Sequence, residues 1–362
     1  MKFLKKYFTL IVLLFLSLCA LGPFIISLFP DYNYYPVAFH RNFMLGVLVN
    51  FIIVSLLHTG LSKFKESKKL TKVERFTPYV LLFISAVFYS KQIPFYIAQT
   101  LFYSLLIVSI LRRFWIDKKE HQFVFYFILS SLFYGLVSSV LMINNSNTYF
   151  LLSKKITYFG LHLGFFVGVA LYFIPHVFHD ERLINRFKNF FKRKKYLYNE
   201  LQVLLLLFHI QVIGEFFHVY NIVLATRFLF LFLPALTYFK LWRLPFKRNW
   251  ISIYLWLSLW SLMIGMMMAH SNSTDFMHWI HLFFINTYLL AAMICFNSFK
   301  IGLVKLIGKQ VKILFGLLLF AGLTRATAYL MPQTYVNHLA YAGLLIVLVM
   351  VWNLYLISRR TQ

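Results

Sequence analysis

The chain has 362 residues, is 61% hydrophobic and 13% charged, and carries a net charge of +26. A soluble protein of this length cannot bury so much apolar surface. A transmembrane barrel is also excluded, because its strands alternate polar and apolar over about 10 residues. Apolar runs of about 20 residues recur instead, each long enough for a helical span. In chain order the expected spans are roughly 7–29, 40–61, 76–90, 93–111, 122–143, 156–178, 200–218, 220–239, 251–270, 278–299, 311–331 and 338–358. The first resembles a signal peptide in "MKFLKKYFTLIVLLFLSLCALGPF", but its apolar run continues to about Phe29, too long for a typical signal core. It reads as a retained span. The third is short. The expected class is all-α: a polytopic integral membrane protein of about twelve transmembrane helices.

The basic residues set the orientation. Thirty of the 36 Lys and Arg fall on one side of these spans, in segments such as "KFKESKKLTKVER" and "RLINRFKNFFKRKK". The opposite side has Arg41, Lys91, Lys154 and Lys155, and Arg227 and Arg325 fall within spans. Both termini are then expected to be cytoplasmic, in the inner membrane. The basic surplus is a topology signal and a contact with anionic lipid head groups, so nucleic acid is not an expected partner. The connections are short, and residues 1–362 read as one membrane-embedded domain. Any division into halves, 1–178 and 200–358, falls at the longest polar connection, 179–199.

Cys19 and Cys295 lie inside apolar runs, with no CxxC or CxxCH. No disulfide framework, zinc ribbon or covalent haem attachment is signalled. The twelve histidines are distributed unevenly. His40, His218, His270, His278, His281 and His338 lie at or near the outer face, His162 and His209 lie deeper, and His58, His121, His176 and His179 lie at the inner face. Imidazole ligates haem iron and copper. His278 and His281 are three apart and share a helix face, as do His40 and Met44, which are four apart. Met266, Met267 and Met268 precede His270. Thioether and imidazole together suit Cu(I). The plain alternatives are that interfacial histidines only meet head groups or cap helices, and that methionines only pack.

Arg227 and Arg325 should lie about 9–10 Å below the outer surface by helical rise. A buried guanidinium needs an anionic partner, and Glu215 is the one acid in the outer half of a span. Two arrangements satisfy that need. Haem propionates can supply the missing negative charge. Otherwise Arg227 pairs with Glu215 while Arg325 bonds backbone carbonyls.

These residues resemble the NnrS family, polytopic membrane proteins that contain haem and copper and are linked to nitric oxide stress. The resemblance spans nearly the whole chain. An early span in the family opens with a pattern like W-H-x-H-E-M-L-F-G. Here "FHRNFMLG" keeps His40 and Met44, with Asn42 and Phe43 in place of the second His and the Glu. A later segment of the R-x-I-P-F type corresponds to "YFIPHVF", which keeps Ile174 and Pro175 but has Tyr172 for the Arg. A late span beginning near H-x-x-x-x-G and closing before G-H-T-G corresponds to the stretch from "HWIHLFFINTYLLAAM" to "KIGLVK". His281 and Gly302 fit it, while Asn286 and Leu303 do not. Arg325, in "LTRATAYL", matches an Arg of the next span.

The resemblance implies b-type haem, and copper with it, in a protein that meets nitric oxide. With the residue reading it marks His40, His218, His278, His281, Arg227 and Arg325 as cofactor-binding and His40, Met44, His270 and His281 as metal-binding. Neither turnover nor a redox partner is indicated by any motif. Two other classes compete. One is a twelve-span secondary transporter, although no repeat relates the halves. The other is a quinol-linked membrane redox protein, for which the outer histidines are suitable but no quinone site is legible.

Overall fold

The computed structural model describes residues 42–60, 69–114, 122–144, 147–178, 194–237, 239, 241–242, 250–269, 276–291, 293 and 309–360. The expected first span, 7–29, lies outside them. Every regular element among the described residues is helical. They form two compact units, one of residues 50–240 and one of residues 1–49 with 241–362.

The 50–240 unit contains α1 (Asn50–Gly60), α2 (Lys72–Val87), α3 (Gln92–Phe114), α4 (Gln122–Ile143), α5 (Asn147–Lys155), α6 (Leu163–Phe178), α7 (Lys194–Phe216) and α8 (Tyr220–Thr237). Between α5 and α6 the chain winds as a π-helix over Ile156–His162. α2 packs on α3, α3 on α4, α4 on α6, and α7 on α8. The other unit contains α9 (Trp250–Met268), α10 (Phe276–Leu282), α11 (Lys309–Thr327) and α12 (Tyr335–Arg360), with π-helical turns at Asn42–Val49 and Phe283–Leu289. There α9 and α11 pack on α10, and α11 packs on α12. π-Helical turns are rare and concentrate at functional sites.

Four helical stretches are long and apolar enough to cross a membrane: Gln92–Arg113, Phe125–Ile143, Tyr220–Thr237 and Lys312–Leu330. Each coincides with an expected span. Leu45–His58, Leu201–Phe216, Ser252–Met268 and Asn337–Asn353 are shorter apolar helices. Large apolar side chains face outward along these helices, among them Leu101, Val108, Leu206 and Phe320. Such a surface suits lipid and would aggregate in water.

The interior is correspondingly polar in places, and many of its polar groups bond internally. Ser131, Ser139 and Thr226 each donate to the carbonyl one turn back, on Phe127, Gly135 and Ile222. Asn50 Nδ2 donates to Gln99 Oε1 at 2.6 Å, Gln99 Nε2 to Ser85 Oγ at 2.8 Å, and the Tyr103 hydroxyl to Asn50 Oδ1 at 2.9 Å. This buried chain joins α1, α2 and α3, and in a low-dielectric core it favours one rotation of each helix about its axis.

A second tie lies where α2 begins and α3 ends. Thr71 and Glu74 form a reciprocal capping box, and Arg112 Nε donates to Glu74 Oε1 at 2.6 Å. Burial alone would raise the Glu74 carboxyl, but hydrogen bonds from Arg112 and Thr71 outweigh it and hold it at about 2. A carboxyl depressed on folding stabilises fully above its unfolded value, and that contribution fades as pH falls through the folded one. Glu74→Gln is therefore expected to lower stability by about 1 kcal/mol at neutral pH. Thermal unfolding should show a smaller difference at pH 3. An equal difference at pH 7 and pH 3 would refute the ionised role of Glu74.

Candidate functional site

Those residues singled out by sequence that are described fall into two clusters, one in each unit. In the 50–240 unit, α7 ends in a tight turn with Val219 N–H donating to Gly214 O at 3.0 Å and His218 N–H to Glu215 O at 3.4 Å. That pattern ends a helix through a left-handed residue, a position that glycine usually fills. Here it is His218, at φ 57°, with its side chain exposed. The turn sends α8 back beside α7, which brings Arg227 against Glu215.

Arg227 Nη2 donates to Glu215 Oε1 at 2.5 Å, and both side chains are almost completely buried. The face of the guanidinium lies over the Phe159 ring, 3.6 Å from its centroid, a stacked cation–π arrangement. Glu215 Oε2 meets a second cation, Lys155 Nζ, at 3.2 Å. The Lys155 ammonium also lies 5.1 Å from the centroid of the Tyr220 ring. One turn before Glu215, the buried Gln211 donates through Nε2 to Phe159 O at 3.2 Å. This is an ion network of two cations and one carboxylate, joining α5, α7 and α8. The Arg227–Glu215 pair was legible from depth along the spans. Lys155 was not, because sequence places it in a connection. Its signal was its position as the last charged residue before an apolar run.

The deeper histidines lie in the same unit. His209 Nδ1 is 2.6 Å from the Tyr134 hydroxyl, and His209 Nε2 is 3.4 Å from Ser130 Oγ. His162 is fully buried at the end of the π-helical turn.

In the other unit, α10 carries His278 and His281 on one face, one turn apart. His278 is buried and His281 half-buried. Arg325, near the end of α11, places Nη1 3.3 Å from His278 Nδ1. The guanidinium also faces the Tyr335 hydroxyl. The His278 ring is flanked by Tyr329 and Tyr335, with centroids at 5.2 and 5.6 Å. Arg325 thus has an imidazole partner that sequence reasoning did not name. The π-helical turn after α10 buries Asn286, whose Nδ2 donates to Leu319 O of α11 at 3.2 Å. That bond fixes α10 and its histidines beside Arg325.

Arg227 and Arg325 belong to different units. His40 and His270 lie outside the described residues, as does the side chain of Met44. Among the described residues no group of three or more His, Cys, Asp or Glu is placed to hold a metal ion. The Arg325 guanidinium is of the type that binds anionic oxygen ligands, and His281 supplies an imidazole one turn from His278.

Comparison with known proteins adds one finding. A family model described as NnrS protein matches residues 3–359. No curated protein and no solved structure matches the chain. A match over nearly the entire length, in a chain whose described elements are helical and include four long and apolar enough to cross a membrane, places this protein in the NnrS family.

Proposed function

We propose that this chain is a haem-binding membrane protein that takes part in the bacterial response to nitric oxide. The observation that carries the reading is the family match along residues 3–359. About twelve spans with cytoplasmic termini in the inner membrane complete it, supported by the thirty basic residues on one side.

The residues present fit haem. Non-covalent haem needs one or two imidazoles for iron and cations for its propionates. His281 and His40 are the ligands we propose first, with His218 exposed at the turn after α7. Arg325 offers a guanidinium beside His278, one turn from His281 on α10. Arg227, in the 50–240 unit, already holds Glu215. Bound haem would supply an iron that binds nitric oxide. The described residues alone do not fit a copper centre. The expected copper donors His40, Met44 and His270 lie outside them, and no step is drawn through copper.

The test is the colour and iron content of protein purified after expression with ample haem. Acid–organic extraction should remove the haem, since no CxxCH exists to bond it. His281→Ala is expected to lose most haem occupancy, whereas His121→Ala, at the inner face, should retain it. A colourless wild-type protein would count decisively against the proposal.

A further inference from the structure

Two buried tyrosines meet the same turn of α4, and their hydroxyls have different partners. Tyr134 belongs to α4 itself, at the middle of the membrane-crossing stretch Phe125–Ile143. Tyr103, on α3, packs against the next residue, Gly135, where an added Cβ would stand 2.9 Å from Tyr103 Cε1. The Tyr103 hydroxyl donates to Asn50 Oδ1, an amide oxygen that is not a base. The Tyr134 hydroxyl lies 2.6 Å from His209 Nδ1 on α7, an imidazole nitrogen that can take up a proton. A phenol is a stronger acid than a neutral imidazole N–H, so the hydroxyl donates and Nδ1 accepts. His209 Nε2 then carries the ring hydrogen and faces Ser130 Oγ, one turn before Tyr134, at 3.4 Å. The Tyr134 ring is held in place. It rests on Gly160 of the π-helical turn, where a Cβ would be 2.8 Å from Tyr134 Cβ, and the Phe208 ring meets it edge-on with centroids at 5.6 Å. This pairing matters when an electron is lost. A phenol that has lost one is a very strong acid, and its cation is costly in a low-dielectric interior. With a base already hydrogen-bonded, the proton crosses as the electron leaves, and the positive charge ends on an imidazole, which carries it far more readily. Asn50 gives Tyr103 no such route.

We propose that Tyr134, with His209 as its base, is a one-electron oxidation and nitration site for a small neutral oxidant of the nitrogen dioxide class. Nitrogen dioxide forms when nitric oxide meets oxygen, and as a small uncharged molecule it enters hydrocarbon. In the first step it takes one electron from Tyr134 and leaves as nitrite, while the hydroxyl proton moves to His209 Nδ1. The products on the protein are a neutral tyrosyl radical and an imidazolium. In the second step another nitrogen dioxide bonds through its nitrogen to the ring carbon beside the phenolic oxygen. The hydrogen of that carbon moves to the oxygen, which restores the aromatic ring as 3-nitrotyrosine. The choice of oxidant rests on the nitric oxide reading above; the contrast between the two tyrosines does not.

The experiment exposes the full-length protein in lipid nanodiscs to a limiting dose of nitrogen dioxide and measures nitration at each tyrosine by peptide mass spectrometry. Tyr134 is expected to be nitrated about tenfold more than Tyr103, within the assistance a positioned base gives to proton transfer. His209→Gln keeps an acceptor for the hydroxyl but no base. It should lower nitration of Tyr134 to the level of Tyr103 and leave Tyr103 unchanged. An undiminished yield at Tyr134 in His209→Gln would show that access to the ring, and not the base, selects it, and would overturn the proposal. Equal nitration of the two tyrosines in wild type would overturn it as well, and that result needs no variant to fold. Neither measurement requires bound haem. A colourless wild-type protein that still shows the His209-dependent preference would end the haem reading and uphold this site, whereas a haem-bearing protein without the preference would do the reverse.

Discussion

Glu215→Gln is expected to destabilise the 50–240 unit by about 3–5 kcal/mol, the usual consequence of removing one partner from a buried ion pair. Arg227 and Glu215 are each about 1% exposed, so neither charge can recover hydration when the other is neutralised. The effect is enlarged because Glu215 serves two cations. Its loss leaves Arg227 Nη2 without the carboxylate at 2.5 Å and Lys155 Nζ without the one at 3.2 Å. Stacking on Phe159 retains the guanidinium but does not neutralise it. The double variant Glu215→Leu with Arg227→Met should be much less damaging than Glu215→Gln alone, since a matched apolar pair removes both desolvation costs. Unfolding in mixed detergent–lipid micelles measures both. A loss below about 1 kcal/mol for Glu215→Gln would show that water reaches this cluster and that its burial is not energetically real.

Gly164→Ala should cost about 1–3 kcal/mol by overpacking. A Cβ at Gly164 would stand 2.5 Å from Ser131 Oγ and 2.6 Å from Phe208 Cε2, and closer still to Phe208 Cζ. Neither neighbour can yield easily. Ser131 is held to Phe127 O, and the Phe208 ring is fully buried among Phe127, Tyr134 and Phe230. The missing side chain is what lets α6 approach α4 closely and admits the Phe208 ring of α7, the way helices gain packing in lipid. Gly316→Ala is the comparison. Its Cβ would find only the Tyr254 hydroxyl, at 3.2 Å, and should change stability little. Equal effects at the two sites would argue against close packing around Gly164.

The sequence by itself determined the helical membrane class and family membership. Apolar run length needs no tertiary information, because a span satisfies its own backbone within one segment. The Arg227–Glu215 pair was also legible, since residue depth follows from helical rise and few acids compete for a buried arginine. So was the shared face of His278 and His281, which depends only on their spacing. Which side chains meet across helices was not legible. Lys155 joining Glu215, Arg325 donating to His278, and the Asn50–Gln99–Ser85–Tyr103 chain all depend on how far each helix is rotated and how near its neighbour lies. Those quantities are set by packing at sites such as Gly164 and by π-helical turns that shift the register of later residues. Hydropathy does not encode them. For that reason the sequence placed His278 among the candidate ligands, and only the tertiary structure packed an arginine against it from another helix.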